Sequence, residues 1–97
     1  MQTLHLTDKV YPAMLKEIHA PPQKLFYKGD LTILGRTCIA VVGTRRCTQY
    51  GEMMTKKIIE ELSHYEVTIV SGLAKGIDTV AHKAAIKNNL KTVAVLP

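Results

Sequence analysis

The sequence predicts an α/β fold, a parallel sheet with a β-α-β-α-β core, preceded by a short helix and a strand. Three observations carry this. Cys38-Ile39-Ala40-Val41-Val42, Val67-Thr68-Ile69-Val70 and Thr92-Val93-Ala94-Val95-Leu96 are continuous apolar or β-branched runs, the pattern of parallel strands buried on both faces. Helical periodicity fills the two stretches between them. The connections are short, so the order implies two right-handed crossovers and a parallel sheet. A complete doubly wound domain has about five or six strands, so this reads as a truncated half-domain.

The elements follow in order. Residues 1–36 form a lead-in segment punctuated by Tyr11-Pro12, Ala20-Pro21-Pro22 and Lys28-Gly29-Asp30. Met14, Leu15 and Ile18 give a short helical stripe, which Pro21 and Pro22 stop. Leu25-Phe26-Tyr27 reads as a brief strand ended by Gly29-Asp30. Residues 37–97 form the partial α/β domain. Its first strand opens at Cys38, where a buried thiol would act as a small hydrophobe. A helix is expected from Thr48, a good N-cap, to His64. Met54, Ile58 and Leu62 are its inward stripe, widened by Ile59, and Met53 and Met54 are expected in or near the core. The second helix runs from Ile77 to Asn88 or Asn89 with Ile77, Ala81, Ala84 and Ala85 inward. Asp78 complements its dipole, and Asn88-Asn89 suits a left-handed exit.

Composition narrows the class. The chain has 97 residues, 46% hydrophobic and 22% charged, enough for one small domain. Thirteen Lys and Arg against eight Asp and Glu give a net charge of +5, which favours a polyanionic partner such as nucleic acid. Cys38 and Cys47 form no C-x-x-C, and His5, His19, His64 and His82 show no metal-ligand spacing. A disulfide is not expected, and a reducing compartment fits. The amino terminus has no signal-peptide pattern, and no apolar stretch approaches the ~20 residues that span a bilayer. A cytoplasmic protein without a membrane partner is the expectation.

The chemistry lies in two turns at the carboxyl ends of adjacent strands, where open α/β sheets bind ligands. In the first, Gly43 lets an anion approach the backbone, Thr44 adds a hydroxyl, and Arg45 and Arg46 supply forks of donors matched to phosphate. In the second, Ser71 offers a hydroxyl, Gly72 close approach, and Lys75 a point charge before Gly76 and a helix. Backbone N–H groups after Gly43 and Gly72 complete the set. Neither turn is a Walker A loop or a G-x-G-x-x-G fingerprint. No catalytic residue, metal ligand or cofactor site is expected. His82 lacks the nucleophile or carboxylate a general base would serve and is assigned a structural or helix-capping role. Asp78 is assigned to its helix terminus, and Tyr50 either stacks a base or packs under the first helix.

Ile39-Ala40-Val41-Val42-Gly43-Thr44-Arg45, Tyr50-Gly51, Ser71-Gly72-Leu73-Ala74-Lys75-Gly76-Ile77-Asp78 and Ala81-His82 together resemble the DprA/Smf DNA-processing family. Tyr11-Pro12, Leu15, Pro21-Pro22, Leu25 and Lys28-Gly29-Asp30 resemble the segment leading into that family's Rossmann-like domain. The resemblance implies a non-enzymatic single-stranded DNA-binding protein that helps load the recombinase RecA in natural transformation. It implies that Gly43, Thr44 and Arg45 line the DNA pocket, with Ser71, Gly72, Ala74, Gly76, Ile77 and Asp78 forming the second turn. Recombinase contact and homodimer formation belong, by the same resemblance, to the full-length protein. Pro97 stands where the family usually places a glycine, and the chain reads as the amino-terminal part of such a protein. Two other readings stand beside it. One is a nucleotide-binding or nucleotide-processing LOG-like Rossmann protein, although its acidic Pro-Gly-Gly-type loop is missing. The other is an inactive truncated fragment.

Overall fold

The computed structural model describes residues 1–97, which divide into two compact units, Met1–Gly35 and Arg36–Pro97. In the first, β1 (Gln2–His5) pairs antiparallel with β2 (Lys24–Tyr27). Between them lies the single helical turn α1 (Ala13–Lys16), and a 3-10 turn covers Leu31–Gly35. The expected helical stripe is not buried: Met14 is 83% exposed and Ile18 is also exposed. Four residues cannot make a helix that turns one face inward, and Tyr11 and Leu4 are the residues buried instead. Tyr11 also donates its hydroxyl proton to the Pro22 carbonyl at 2.8 Å, tying the start of the connection to its end.

The second unit is the β-α-β-α-β core. Strands β3 (Thr37–Ala40), β4 (Val67–Ser71) and β5 (Lys91–Ala94) form a parallel sheet in that order. Helix α2 (Gln49–Leu62) connects the first pair and α3 (Ile77–Lys87) the second. Both crossovers step the same way across the sheet, so right-handed connections put both helices on one face, where they pack against each other. The core consists of Ile59, Val67, Ile69, Ala81, Ala84, Ala85 and Leu90, with Ile39, Val41 and Leu62 packed against it. The alanines of α3 let its backbone approach the sheet closely.

One layer of helices changes the burial expected of the strands. Only β4, in the centre, is largely buried; on β3, Cys38 and Ala40 are exposed and Ile39 is half-buried. On and beyond β5, Ala94, Val95 and Leu96 are exposed. Ile39 faces the helices, and by alternation Cys38 and Ala40 project from the other face. Cys38 is therefore not the buried hydrophobe expected of it.

The inward face of α2 is also turned from the expected one. Thr55 and Ile59 are buried, Met54 and Leu62 are half-buried, and Ile58 and Met53 are exposed. A threonine can occupy the core position because its hydroxyl donates to the Gly51 carbonyl at 2.8 Å within the helix. Thr48 caps α2 as expected, its hydroxyl accepting the Gly51 N–H at 3.0 Å. Thr48→Ala should lower stability by about 1 kcal/mol, read as a shifted urea midpoint with unchanged slope. At the end of α3, Asn89 takes φ +60°, the left-handed exit read from the sequence.

His82 is buried on α3 with a defined role. Its Nδ1 lies 2.7 Å from Thr92 Oγ1, and that hydroxyl donates its one proton to the Ile69 carbonyl at 2.9 Å. Thr92 must then accept from His82, so the ring carries its proton on Nδ1. The resulting chain links α3, β5 and β4. His82 Nε2 is buried without a partner.

Candidate nucleic-acid interface

The two turns meet at the carboxyl edge of the sheet, joined by one carboxylate. Asp78, 6% exposed in the first turn of α3, accepts the Gly43 N–H on Oδ1 at 3.3 Å and the Gly72 N–H on Oδ2 at 3.1 Å. Burial pushes this carboxyl up, but the N–H groups of Gly43, Gly72 and Ala74 together hold it below its ordinary value. Its role is therefore wider than the helix-dipole contact expected from sequence: it holds the turns in register.

Further bonds close the same junction. The Ile77 N–H, first in α3, donates to the Thr44 carbonyl at 3.1 Å. The Thr79 N–H and hydroxyl both donate to the Ala74 carbonyl, at 3.0 and 2.6 Å. Gly76, at φ +83°, lies so close beneath the first turn that a Cβ there would sit 2.2 Å from the Thr44 oxygen. At Gly43 a Cβ would sit 2.8 Å from the Ile77 side chain, so the first turn needs glycine to let α3 in.

Bonding within the junction sorts the residues singled out in the sequence. Ser71 is buried and its hydroxyl donates to the Val41 carbonyl at 2.6 Å, so that proton holds β4 to β3 and faces no ligand. The N–H groups of Gly43 and Gly72 serve Asp78, and Gly76 serves the close packing. Thr44 is exposed, and its hydroxyl accepts the Arg46 N–H at 3.2 Å, which shapes the first turn. Outward-facing chemistry remains in two forms. The N–H groups of Thr44, Arg45 and Leu73 have no acceptor in the chain. Arg45, Arg46 and Lys75 are exposed, and the one salt bridge of the protein, Lys56 to Glu52, lies elsewhere. Tyr50, in the first turn of α2, is exposed and does not pack beneath that helix.

The fold and this edge define a Rossmann-like α/β domain whose paired turns are fixed from within and leave cations and N–H groups facing outward. The chain belongs to the DNA recombination-mediator protein A family, whose model matches residues 2–97. It is 50% identical over 91 residues to the DNA processing protein DprA of Streptococcus pneumoniae, an alignment covering 94% of this chain and 32% of that protein. It is 41% identical over 97 residues to the Bacillus subtilis DprA, covering 99% of this chain and 33% of the relative. Among solved structures, the S. pneumoniae DprA superposes with a TM-score of 0.93 at 47% identity, over 98% of this chain and 33% of that one. The Helicobacter pylori protein, whose structure was described for its single-stranded DNA binding mode, gives 0.83 at 33% identity, over 99% of this chain and 43% of that one. The chain thus spans about a third of the length of these curated relatives. No helix is long and apolar enough to cross a membrane.

The sequence motifs pointed to both turns, but not to what joins them. Asp78 follows Gly72 by six residues and Gly43 by 35. An acidic residue after a small-residue turn is its only local signal.

Proposed function

We propose that this chain is a single-stranded DNA-binding element, without catalytic activity of its own, and that in the longer protein it serves DNA processing during natural transformation. The observation that carries the reading is the outward chemistry of the joined turns: Arg45, Arg46 and Lys75 stand unpaired beside the free N–H groups of Thr44, Arg45 and Leu73. Arginine forks and backbone N–H groups both match phosphate oxygens, and the bonds that join the two turns hold these groups on one edge. The net charge of +5 adds a favourable long-range field. The DNA-binding mode described for the H. pylori relative supports the choice of ligand. Contacts to a RecA-type recombinase, homodimer formation and a cytoplasmic setting belong to the proposal for the longer protein.

The test is a titration of labelled oligo-dT with wild type and Arg45→Ala at several salt concentrations. Binding should weaken with salt at about −0.7 in log–log slope per phosphate neutralised, and the variant's slope should be shallower by that amount. Its affinity at low salt should fall about tenfold or more, from ~1.5 kcal/mol for a charge-assisted hydrogen bond. Equal affinity of the two proteins, or no binding by wild type at low salt, would sink the proposal.

A further inference from the structure

Leu73 sits in the middle of the second turn with φ +62° and is 55% exposed. The left-handed conformation is unfavourable for a leucine, because its Cβ crowds the backbone. The other non-glycine residue with positive φ is Asn89, which ends a helix, where asparagine is suited to that geometry. Apart from Lys75, the residues around Leu73 each meet a need of the fold. Ser71 bonds to β3, the Gly72 N–H to Asp78, the Ala74 carbonyl receives Thr79, and Gly76 fits beneath Thr44. At 55% exposed, Leu73 recovers only about half of what full burial of a leucine would give, no more than its left-handed backbone costs. Strain left standing in this way points to a use outside the fold.

The surroundings say what that use is. Leu73's own N–H is free, Lys75 is exposed two residues on, and the Thr44–Arg45 backbone lies against Gly76. An exposed apolar side chain therefore stands on a turn that also carries an exposed cation and a free N–H. A single strand of nucleic acid presents anionic phosphates with unpaired, flat, apolar base faces beside them. We propose that Leu73 is a base contact: it supports the face of the nucleotide base whose phosphate the turn holds, without reading its identity. This rests on the single-stranded DNA reading above.

The test compares oligo-dT with an abasic deoxyribose-phosphate oligomer of equal length, against wild type, Leu73→Gly and Leu73→Asn. Wild type should prefer the base-bearing strand by about tenfold, the scale of one base contact. Both variants should lose that preference. Leu73→Gly should melt no lower than wild type, because glycine accepts the left-handed conformation. Equal binding of both oligomers by wild type would overturn the proposal while leaving phosphate binding intact. A preference retained in the variants would overturn it too, as would a destabilised Leu73→Gly that weakens on both oligomers, which would mark Leu73 as structural. Failure of wild type to bind either oligomer would remove the phosphate reading and this inference with it.

Discussion

Gly76→Ala should be the most destabilising single-methyl change in the protein. At φ +83° and ψ −132° the backbone lies where residues with a Cβ are essentially not found. The added carbon would stand 2.2 Å from the Thr44 oxygen and 2.7 Å from the carbonyl carbon and oxygen of Arg45. These are backbone atoms and cannot swing aside like a side chain. That Thr44 oxygen also receives the Ile77 N–H, so relief of the clash would pull α3 away from the first turn. Backbone strain of ~1–3 kcal/mol and overpacking of a similar ~1–3 kcal/mol together give about 2–6 kcal/mol, against a typical total of roughly 5–15 kcal/mol. Denaturant unfolding measures it, with Gly29→Ala as the control. Gly29 has φ +110° but open space around it, so that variant should lose only the backbone strain of ~1–3 kcal/mol, with no clash added. Equal midpoints for the two variants would show that the Gly76 contact is relieved without cost.

Asp78→Asn should be destabilising at neutral pH and should remove part of the protein's sensitivity to acid. The carboxylate has an oxygen for each turn, Oδ1 toward Gly43 and Oδ2 toward Gly72. An asparagine keeps one oxygen and replaces the other with an NH2 group, which faces an N–H donor to donor. One turn is then released. The folded state holds the Asp78 carboxyl below its ordinary value, so folding favours the ionised form. The resulting stability is fully present above the unfolded-state value, near pH 4. It is lost as pH falls through the lower, folded-state value. Urea midpoints measured from pH 7 down to about pH 2.5 should show wild type and variant well separated at neutrality and converging in acid. Curves that stay parallel would mean that the charge of Asp78 does not serve the junction.

How far the sequence could be read depended on whether each feature was decided locally. Val67–Val70, the α3 alanines and the Thr48 cap are local patterns, and they appear where the pattern puts them. β1 went unread because Gln2-Thr3-Leu4-His5 has one apolar residue, and its strand form comes from pairing with Lys24–Tyr27. On α2, periodicity suggests Met54, Ile58 and Leu62 with Ile59 beside them, whereas packing against α3 buries Ile59, leaves Ile58 exposed and brings in Thr55. No local rule favours a threonine there until its hydroxyl is satisfied within the helix. At the interface the glycines and cations were legible as chemistry, and the resemblance they carried led to the family the chain belongs to. What remained hidden was the division of labour, since the use of Ser71, Gly43 and Gly72 depends on contacts across as many as 35 positions.

The histidine beneath this edge gives the protein a spectroscopic handle. With Thr92 committed to the Ile69 carbonyl, the His82 ring is held with its proton on Nδ1, the form less usual for a free imidazole. Nitrogen-15 and carbon-13 chemical shifts distinguish the two tautomers directly. One labelled side chain therefore reports whether α3, β5 and β4 are in place. Because β4 leads into Ser71 and α3 begins at Ile77, that resonance also registers how firmly the second turn is held while DNA is added.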